Sequence, residues 1–265
     1  MGELIFIGLG LDSEEDISLR GLKAAKAADE VFLEAYTSLM PHLDIARLEE
    51  LIGKRITRLS RRQMEEEMDY VLREARSKRI AILCPGDPFV ATTHIALRIE
   101  AEKRGIKTKV INNASIISAV TSATGLQSYK LGRTVTLTFP QMGSIPETVY
   151  DVTKDNLAMG LHTLILLEID VEGRRYLRID EAVELLRALE NRRKEGIFTE
   201  DRLIVGLARL GSEDMIVKAD ILARLKLYDF GLPPHSLLVP GRLHFMEKEA
   251  LKILASAPDE ALRGA

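Results

Sequence analysis

The chain has 265 residues, of which 46% are hydrophobic and 29% are charged, and this composition excludes wholesale disorder. Its length suits one large α/β domain or two modest ones, and we expect two. The formal net charge of -3 gives no basis for general nucleic-acid binding, which usually requires a strongly basic domain.

The first half of the chain alternates predicted strands with predicted helices. The apolar run Leu4-Ile5-Phe6-Ile7 predicts a buried strand that stops at the glycine turn Gly8-Leu9-Gly10. Residues 16–18 can cap the helix that follows. Further strands are predicted at residues 31–33, 80–83 and 107–111, and helices at residues 19–28, 64–77 and 95–104. Strands that alternate with helices imply a mostly parallel sheet.

The sequence pattern changes after Gly125, where we expect a second α/β unit to begin. Residues 134–139 alternate in the manner of a strand. Further strands are predicted at residues 163–169 and 203–207, and helices at residues 149–159, 180–194 and 245–255. The fold class is therefore predicted to be α/β, with two units.

Four segments of small or turn-forming residues follow predicted strands. They are Gly8-Leu9-Gly10, Glu34-Ala35-Tyr36-Thr37-Ser38, Pro85-Gly86-Asp87-Pro88 and Asn113-Ala114-Ser115-Ile116. Ligands collect beyond the carboxyl ends of the strands in an open parallel sheet, and small residues let a ligand approach the backbone closely. Any one segment is equally well explained as a structural turn, but the four together predict a ligand site.

The kind of ligand follows from the charges around these segments. Gly8 and Gly10, with Glu34 near the end of the second strand, match part of a dinucleotide-binding pattern. Ser13 replaces its third glycine, and the neighbouring acidic residues would repel a pyrophosphate. S-adenosylmethionine is a better candidate because it carries a sulfonium and an ammonium, which the carboxylate of Asp87 can complement. The alternative for Asp87 is an Asx turn that closes the loop.

The loop at residues 85–88, with the glycine turn on the first strand, resembles the tetrapyrrole (corrin and porphyrin) methylase superfamily. Further motifs resemble the diphthine synthase family within it. They are residues 34–38, Ala91-Thr92-Thr93-His94, residues 113–116, Gly125-Leu126 with Tyr129-Lys130-Leu131-Gly132, Gly160-Leu161-His162-Thr163, Pro233-Pro234-His235 and Pro240-Gly241-x-Leu243-His244. Ala91 stands where many superfamily members have glycine, which counts against a corrin or porphyrin substrate.

The resemblance implies two α/β domains of the tetrapyrrole methylase type, at residues 1–111 and 112–265, with the cofactor in the cleft between them. It also implies a homodimer. Carried over position by position, the residues that bind S-adenosylmethionine are Leu11, Asp87, Val90, Ser115, Ile116, Leu167, Leu210 and His235. Most of them would act through backbone groups or apolar contact.

The implied reaction is the transfer of three methyl groups to the amino group of a 3-amino-3-carboxypropyl chain on one histidine of translation elongation factor 2, in diphthamide biosynthesis. Positioning and desolvation can supply most of the rate, so no catalytic residue is assigned. Each transfer before the last requires that the amine lose a proton, to water or to a side chain. The candidate acceptors are Glu34, Tyr36, His94, His162 and His235. The alternative for each histidine is a neutral side chain that satisfies a backbone group.

Cys84 is the single cysteine, and it adjoins the Pro85–Pro88 loop. We interpret it as a small buried residue rather than a nucleophile, because no basic partner stands beside it in the sequence. It cannot form an intrachain disulfide, which favours a reducing compartment. No segment has the 18 or more consecutive apolar residues of a membrane span, and the first residues lack the basic start of a signal peptide. We therefore predict a cytoplasmic protein with no metal site.

Other interpretations remain open at this point. A corrin or porphyrin methyltransferase would keep the fold and change the substrate. A non-catalytic sensor of adenosyl ligands would use the same cleft, and a nicotinamide oxidoreductase ranks last. The basic run at residues 54–62 is interpreted as a solvated face rather than a docking surface.

Overall fold

The computed structural model describes residues 2–34, 36, 38–171 and 173–263. Contacts along the chain divide it into two compact units, Met1–Ile116 with Asp170–Gly173 and Ile117–Ile169 with Arg174–Ala265. The two domains predicted at residues 1–111 and 112–265 stay a prediction. In the part of the chain so described, no helix combines the length and apolarity that crossing a membrane requires.

The first unit is built on a parallel sheet. Its strands are β1 (Glu3–Gly8), β2 (Glu30–Glu34), β3 (Ile56–Leu59), β4 (Arg79–Cys84) and β5 (Lys107–Ile111). Its helices are α1 (Leu19–Ala27), α2 (Ile45–Ile52), α3 (Arg61–Glu65), α4 (Asp69–Glu74) and α5 (Ile95–Lys103). The strand order is β3-β2-β4-β1-β5, and every neighbouring pair is parallel.

Both faces of this sheet are buried, which explains why its strands are nearly continuous apolar runs. Successive side chains of a strand point to opposite faces. Leu4 and Phe6 accordingly pack in one core and Ile5 and Ile7 in the other. On the neighbouring strand β4, Ile80 is in register with Leu4.

The predicted strands of the first unit are confirmed, and Ser18 caps α1 by accepting a hydrogen bond from Gly21 N. The single helix predicted at residues 64–77 is wrong, because α3 and α4 replace it. Glu66 N and Glu67 N both donate to Arg62 O and so close α3, although the apolar spacing continues past the break. Strand β3 and helix α2 were not predicted, and β3 lies within the basic run.

The second unit contains a mixed sheet. Its strands and the short strands near its boundary are β6 (Val135–Leu137), β7 (Thr163–Leu167), β8 (Ile169–Asp170), β9 (Arg175–Tyr176), β10 (Leu203–Ala208), β11 (Ile216–Ile221) and β12 (His235–Val239). Its helices are α6 (Ile116–Thr124), α7 (Thr148–Ala158), α8 (Ile179–Arg193), α9 (Leu222–Leu225), α10 (Phe245–Leu254) and α11 (Asp259–Leu262). The predicted helices at residues 149–159, 180–194 and 245–255 are confirmed with small shifts.

The direction of the strands in this second sheet determines which residues share an edge. The order is β11-β10-β12-β7-β6. Strand β12 is antiparallel to both β10 and β7, whereas β6 and β7 are parallel. The carboxyl ends of β7 and β10 therefore lie beside the amino end of β12. Strands β11 and β12 were not predicted from the sequence.

Candidate cofactor site

The glycine turn and the Pro85–Pro88 loop lie backbone to backbone in the first unit. Gly86 N donates to Gly10 O at 2.6 Å, and Leu9 N donates to Cys84 O at 2.8 Å. A Cβ atom on Gly8 would lie 2.6 Å from Gly86 O, so only glycine fits there. Gly10 and Gly86 also have positive φ angles of 94° and 68°, which glycine adopts at little cost. Two segments that the sequence singled out are therefore in contact.

The carboxylate of Asp87 holds the loop in place with both of its oxygens. Oδ1 accepts a hydrogen bond from Phe89 N at 3.1 Å, which is an Asx turn. Oδ2 accepts from Asn112 Nδ2 at 2.9 Å and from Asn113 N at 3.3 Å. The loop is thereby tied to the end of β5. A ligand contact at this carboxylate would use its remaining lone pairs.

Asn113 connects three segments of the same edge. Its Nδ2 donates to Gly8 O and to Asp16 O, each at 3.0 Å. The carboxylate of Asp16 in turn accepts from Leu11 N at 3.0 Å and from Asp12 N at 2.8 Å. Leu11 is thus held in place by Asp16, a residue that the sequence suggested only as part of a helix cap. The role of Asp16 depends on a turn that no sequence pattern shows.

The segment after β2 is joined to the same loop by His94. Glu34 Oε1 accepts from Tyr36 N at 2.9 Å, and Glu34 Oε2 lies 3.3 Å from His94 Nε2. His94 Nδ1 lies 2.8 Å from Pro88 O and donates to it. Ala35 and Thr37 of this motif lie outside the described residues. All four predicted segments are therefore linked through hydrogen bonds or close polar contacts.

Cys84 lies beside this pair but does not have the properties of a nucleophile. Its Sγ lies 3.8 Å from His94 Nδ1, and burial raises the pKa of the thiol well above its ordinary value. Ligand atoms of Glu34, Cys84 and His94 all lie within 4.8 Å of one another, which is a donor set that a transition metal can use. Glu34 and His94 are also bound within the protein, to Tyr36 N and to Pro88 O, and we assign no metal chemistry to the cluster.

In the second unit, the three predicted cofactor residues lie at one edge of the sheet. Leu167 ends β7, His235 begins β12, and Leu210 follows the end of β10. His235 pairs with Ala208 on β10, and the next residue, Ser236, pairs with Leu166 on β7. The antiparallel arrangement thus brings together residues that are far apart in sequence.

Arg209 is a structural residue of this edge that the sequence did not indicate. It is buried, and its backbone N donates to Pro234 O at 2.9 Å. Its guanidinium donates to Phe230 O at 2.8 Å, to Asp214 Oδ2 at 2.7 Å and also to Leu232 O. It thereby fixes the segment that leads into His235. The only sequence signal for this role is that an arginine directly follows the apolar strand β10.

Two of the candidate proton acceptors, His162 and His235, are buried and bonded to backbone groups. Gly241 N donates to His162 Nδ1 at 2.9 Å, so His162 Nε2 carries the proton that it donates to Glu247 at 2.9 Å. Ile179 N donates to His235 Nδ1 at 3.4 Å. Burial lowers the pKa of His162, and burial together with Arg178 lowers that of His235 to about 4. Both are neutral at pH 7.

Two cavities lie away from the linked segments of the first unit. The larger, of about 570 Å³, is lined by residues at the amino ends of β1 and β4, among them Glu3 and Arg79, and so lies at the opposite end of the sheet. The smaller, of about 230 Å³, is lined by residues of the second unit that include Arg178, Tyr228 and His235. Neither of these two cavities is lined by the hydrogen-bonded segments around Asp87.

The chain matches known proteins over nearly its whole length. Residues 3–224 match the family model of the Tetrapyrrole (Corrin/Porphyrin) Methylases. A diphthine synthase from Methanosarcina acetivorans is 47% identical over 264 residues, which is 98% of each chain. A diphthine synthase from Methanocaldococcus jannaschii is 46% identical, with 95% of this chain and 98% of the relative covered.

A solved structure agrees with these sequence relatives. It is a crystal structure of diphthine synthase, with a TM-score of 0.88 and 41% sequence identity, and the match covers 98% of this chain and 99% of the other. The chain is therefore a methyltransferase that belongs to the diphthine synthase family of the tetrapyrrole methylases.

Proposed function

We propose that this chain transfers methyl groups from S-adenosylmethionine to the amino group of the 3-amino-3-carboxypropyl-modified histidine of translation elongation factor 2. Three transfers would give the trimethylammonium of diphthine. The observation that carries the proposal is identity of 46–47% to diphthine synthases across nearly the whole chain. The linked loops around Asp87 support a ligand site within that framework.

The proposed cofactor contacts fall into two sets. Leu11, Asp87, Val90, Ser115 and Ile116 lie in the first unit, and Leu167, Leu210 and His235 in the second. Gly86 leaves room for an adenosyl ligand, because a Cβ atom there would lie 3.8 Å from Ala114 O, whereas the space beside Gly8 and Gly10 is filled by the protein itself. The carboxylate of Asp87 would complement the positive charge of bound S-adenosylmethionine. The bound cofactor would supply the methyl group.

Methyl transfer to the amine requires little from any one side chain. The neutral amine forms a bond to the methyl carbon as the carbon–sulfur bond breaks, and the product is S-adenosylhomocysteine. A quaternary ammonium has no proton to lose, but each earlier product must lose one before the next transfer. Because both ring nitrogens of His162 have protein partners and Nδ1 of His235 already accepts from Ile179 N, we propose that water takes these protons. The site would then act by positioning and desolvation.

Labelled S-adenosylmethionine tests the function directly. We expect label to pass to elongation factor 2 that carries the 3-amino-3-carboxypropyl group and not to the unmodified factor. A tetrapyrrole precursor serves as the competing substrate, and its methylation with no transfer to the factor would overturn the proposal. Binding of S-adenosylmethionine without transfer to any acceptor would favour a sensor. Mass spectrometry of the product would count the methyl groups.

Substitution of Asp87 tests its place in the site. We expect Asp87→Ala to weaken binding of S-adenosylhomocysteine by about tenfold or more, because three protein hydrogen bonds and a negative charge are lost. Isothermal titration calorimetry measures the change, with Asp155→Ala on α7 as a control for loss of a carboxylate. Unchanged affinity would remove Asp87 from the set of cofactor contacts.

We further propose a cytoplasmic homodimer that binds neither membrane nor nucleic acid directly. The dimer is what the resemblance to the diphthine synthase family implies, and the net charge of -3 supports the part of the proposal that concerns nucleic acid. Sedimentation equilibrium over a range of concentrations would test the dimer. A monomer at all concentrations at which methyl transfer is active would overturn it.

A further inference from the structure

The Pro85–Pro88 loop continues into a segment with a strained backbone. Ala91 has a φ of 55°, in the left-handed region that residues with a Cβ atom seldom adopt. Such a conformation is strained and persists only where neighbouring contacts impose it. Contacts close to Ala91 must therefore hold this part of the loop.

The contact that meets this need is made by His94, three residues further on. His94 Nδ1 donates to Pro88 O at 2.8 Å, which closes a short loop of backbone around Ala91. On the other side of the ring, Nε2 lies 3.3 Å from Glu34 Oε2 without the alignment of a direct hydrogen bond. Both sides of the ring therefore meet an oxygen atom of the protein.

Glu34 is itself held firmly. It is 0% exposed, and its Oε1 accepts from Tyr36 N at 2.9 Å. The groups that face the pair are Cys84 on β4, 3.8 Å from His94 Nδ1, and the ring of Tyr36, at 6.5 Å between centroids. A continuous polar connection thus runs from the end of β2 through the imidazole to the carbonyl of Pro88.

We propose that Glu34 and His94 are positioning residues, which hold residues 88–91 in the conformation that binds S-adenosylmethionine. This inference rests on the proposed function, since Asp87 and Val90 are proposed cofactor contacts. The pair does not accept the substrate proton. His94 is 3% exposed, and each of its ring nitrogens faces an oxygen of the protein.

Cofactor affinity and methyl transfer separate positioning from proton transfer. We expect His94→Leu to weaken binding of S-adenosylhomocysteine by about tenfold or more, with transfer near wild type at saturating cofactor. Glu34→Gln should bind within about twofold of wild type and stay active, because its amide can donate to Nε2 while Nδ1 still donates to Pro88 O. Cys84→Ala is the matched control from the same cluster and should change neither quantity.

The opposite pattern would overturn the inference. If Glu34→Gln binds normally but no longer transfers methyl groups at saturating cofactor, the pair moves a proton. If His94→Leu binds as the wild type does, the pair does not position the loop. Thermal unfolding checks that each variant is folded. Should His94→Leu fail that check, the double variant Glu34→Gln with His94→Leu replaces it, since it places no carboxylate beside the apolar leucine.

Hydrogen exchange without any cofactor keeps this test independent of the proposed function. We expect amides of residues 86–91 to exchange faster in His94→Leu than in the wild type. Ala91→Gly removes the strain. The double variant Ala91→Gly with His94→Leu should therefore recover much of the protection from exchange and of the affinity for S-adenosylhomocysteine. Equal exchange in wild type and His94→Leu would overturn the positioning role. If the wild type binds no S-adenosylhomocysteine but its amides at residues 86–91 still exchange more slowly than those of His94→Leu, only the proposed function is overturned.

Discussion

His235 is neutral in the folded chain because burial, aided by Arg178, lowers its pKa to about 4. In the unfolded chain its pKa would be about 6.5. His235 therefore stabilises the folded state fully above pH 6.5. This stabilisation is lost as the pH falls toward 4, because the unfolded chain binds the proton first. His162 has a lowered pKa for the same first reason, burial, and acts in the same direction.

Acid titration of stability tests this view of His235. We expect the free energy of unfolding of the wild type to fall between pH 6.5 and 4, with His235 contributing up to about 3 kcal/mol of the fall. Urea unfolding at a series of pH values would measure it, with His235→Gln as the variant and the exposed His244→Gln as the control. An equal loss in His235→Gln and wild type would show that His235 does not titrate as described.

At the scale of elements, Glu247 joins helix α10 to two other segments. It is 0% exposed and accepts hydrogen bonds from Gln127 N, His162 Nε2 and His244 N, and also from Lys130 Nζ. Burial raises its pKa, but Lys130 and these donors outweigh burial and lower it to about 2. One carboxylate therefore ties the start of α10 to both segments.

Removal of that charge should destabilise the second unit. We expect Glu247→Gln to lower the free energy of unfolding by about 3 kcal/mol at pH 7, because Lys130 loses its buried anionic partner. Glu249→Gln, on the exposed side of the same helix, should change it by less than about 0.5 kcal/mol. Denaturant unfolding measures both. Similar values for the two variants would contradict the role given to Glu247.

At the scale of the whole molecule, the first unit contains its own cores. The buried residues of its two main clusters all lie between Leu4 and Ile111. We expect a fragment of residues 1–116 to unfold cooperatively, as followed by circular dichroism. A fragment of residues 1–111 should be less stable, because it lacks Asn112 and Asn113, which bind Asp87 and Gly8. Equal stability of the two fragments would contradict the importance of these bonds.

Much of the fold follows from local pattern. Strands β1, β4 and β5 and helices α1, α5 and α8 were predicted because apolar spacing, turn glycines and caps are properties of short segments. The break between α3 and α4 was not predicted, because two backbone hydrogen bonds to Arg62 O close α3 while the apolar spacing continues. Strand β12 was not predicted either, because its place depends on pairing with β7 and β10.

The sequence by itself determined the family, the parallel sheet and the importance of the Pro85–Pro88 loop, since these depend on motifs and on the alternation of strands and helices. Only the tertiary structure decided what the side chains do. Asp87 binds the residues that follow β5 through Oδ2 and its own loop through Oδ1, and His94 carries the connection from Glu34 to Pro88. The partners of His94 lie at positions 34 and 88, and no local pattern shows which distant groups will meet once a sheet brings the ends of its strands together.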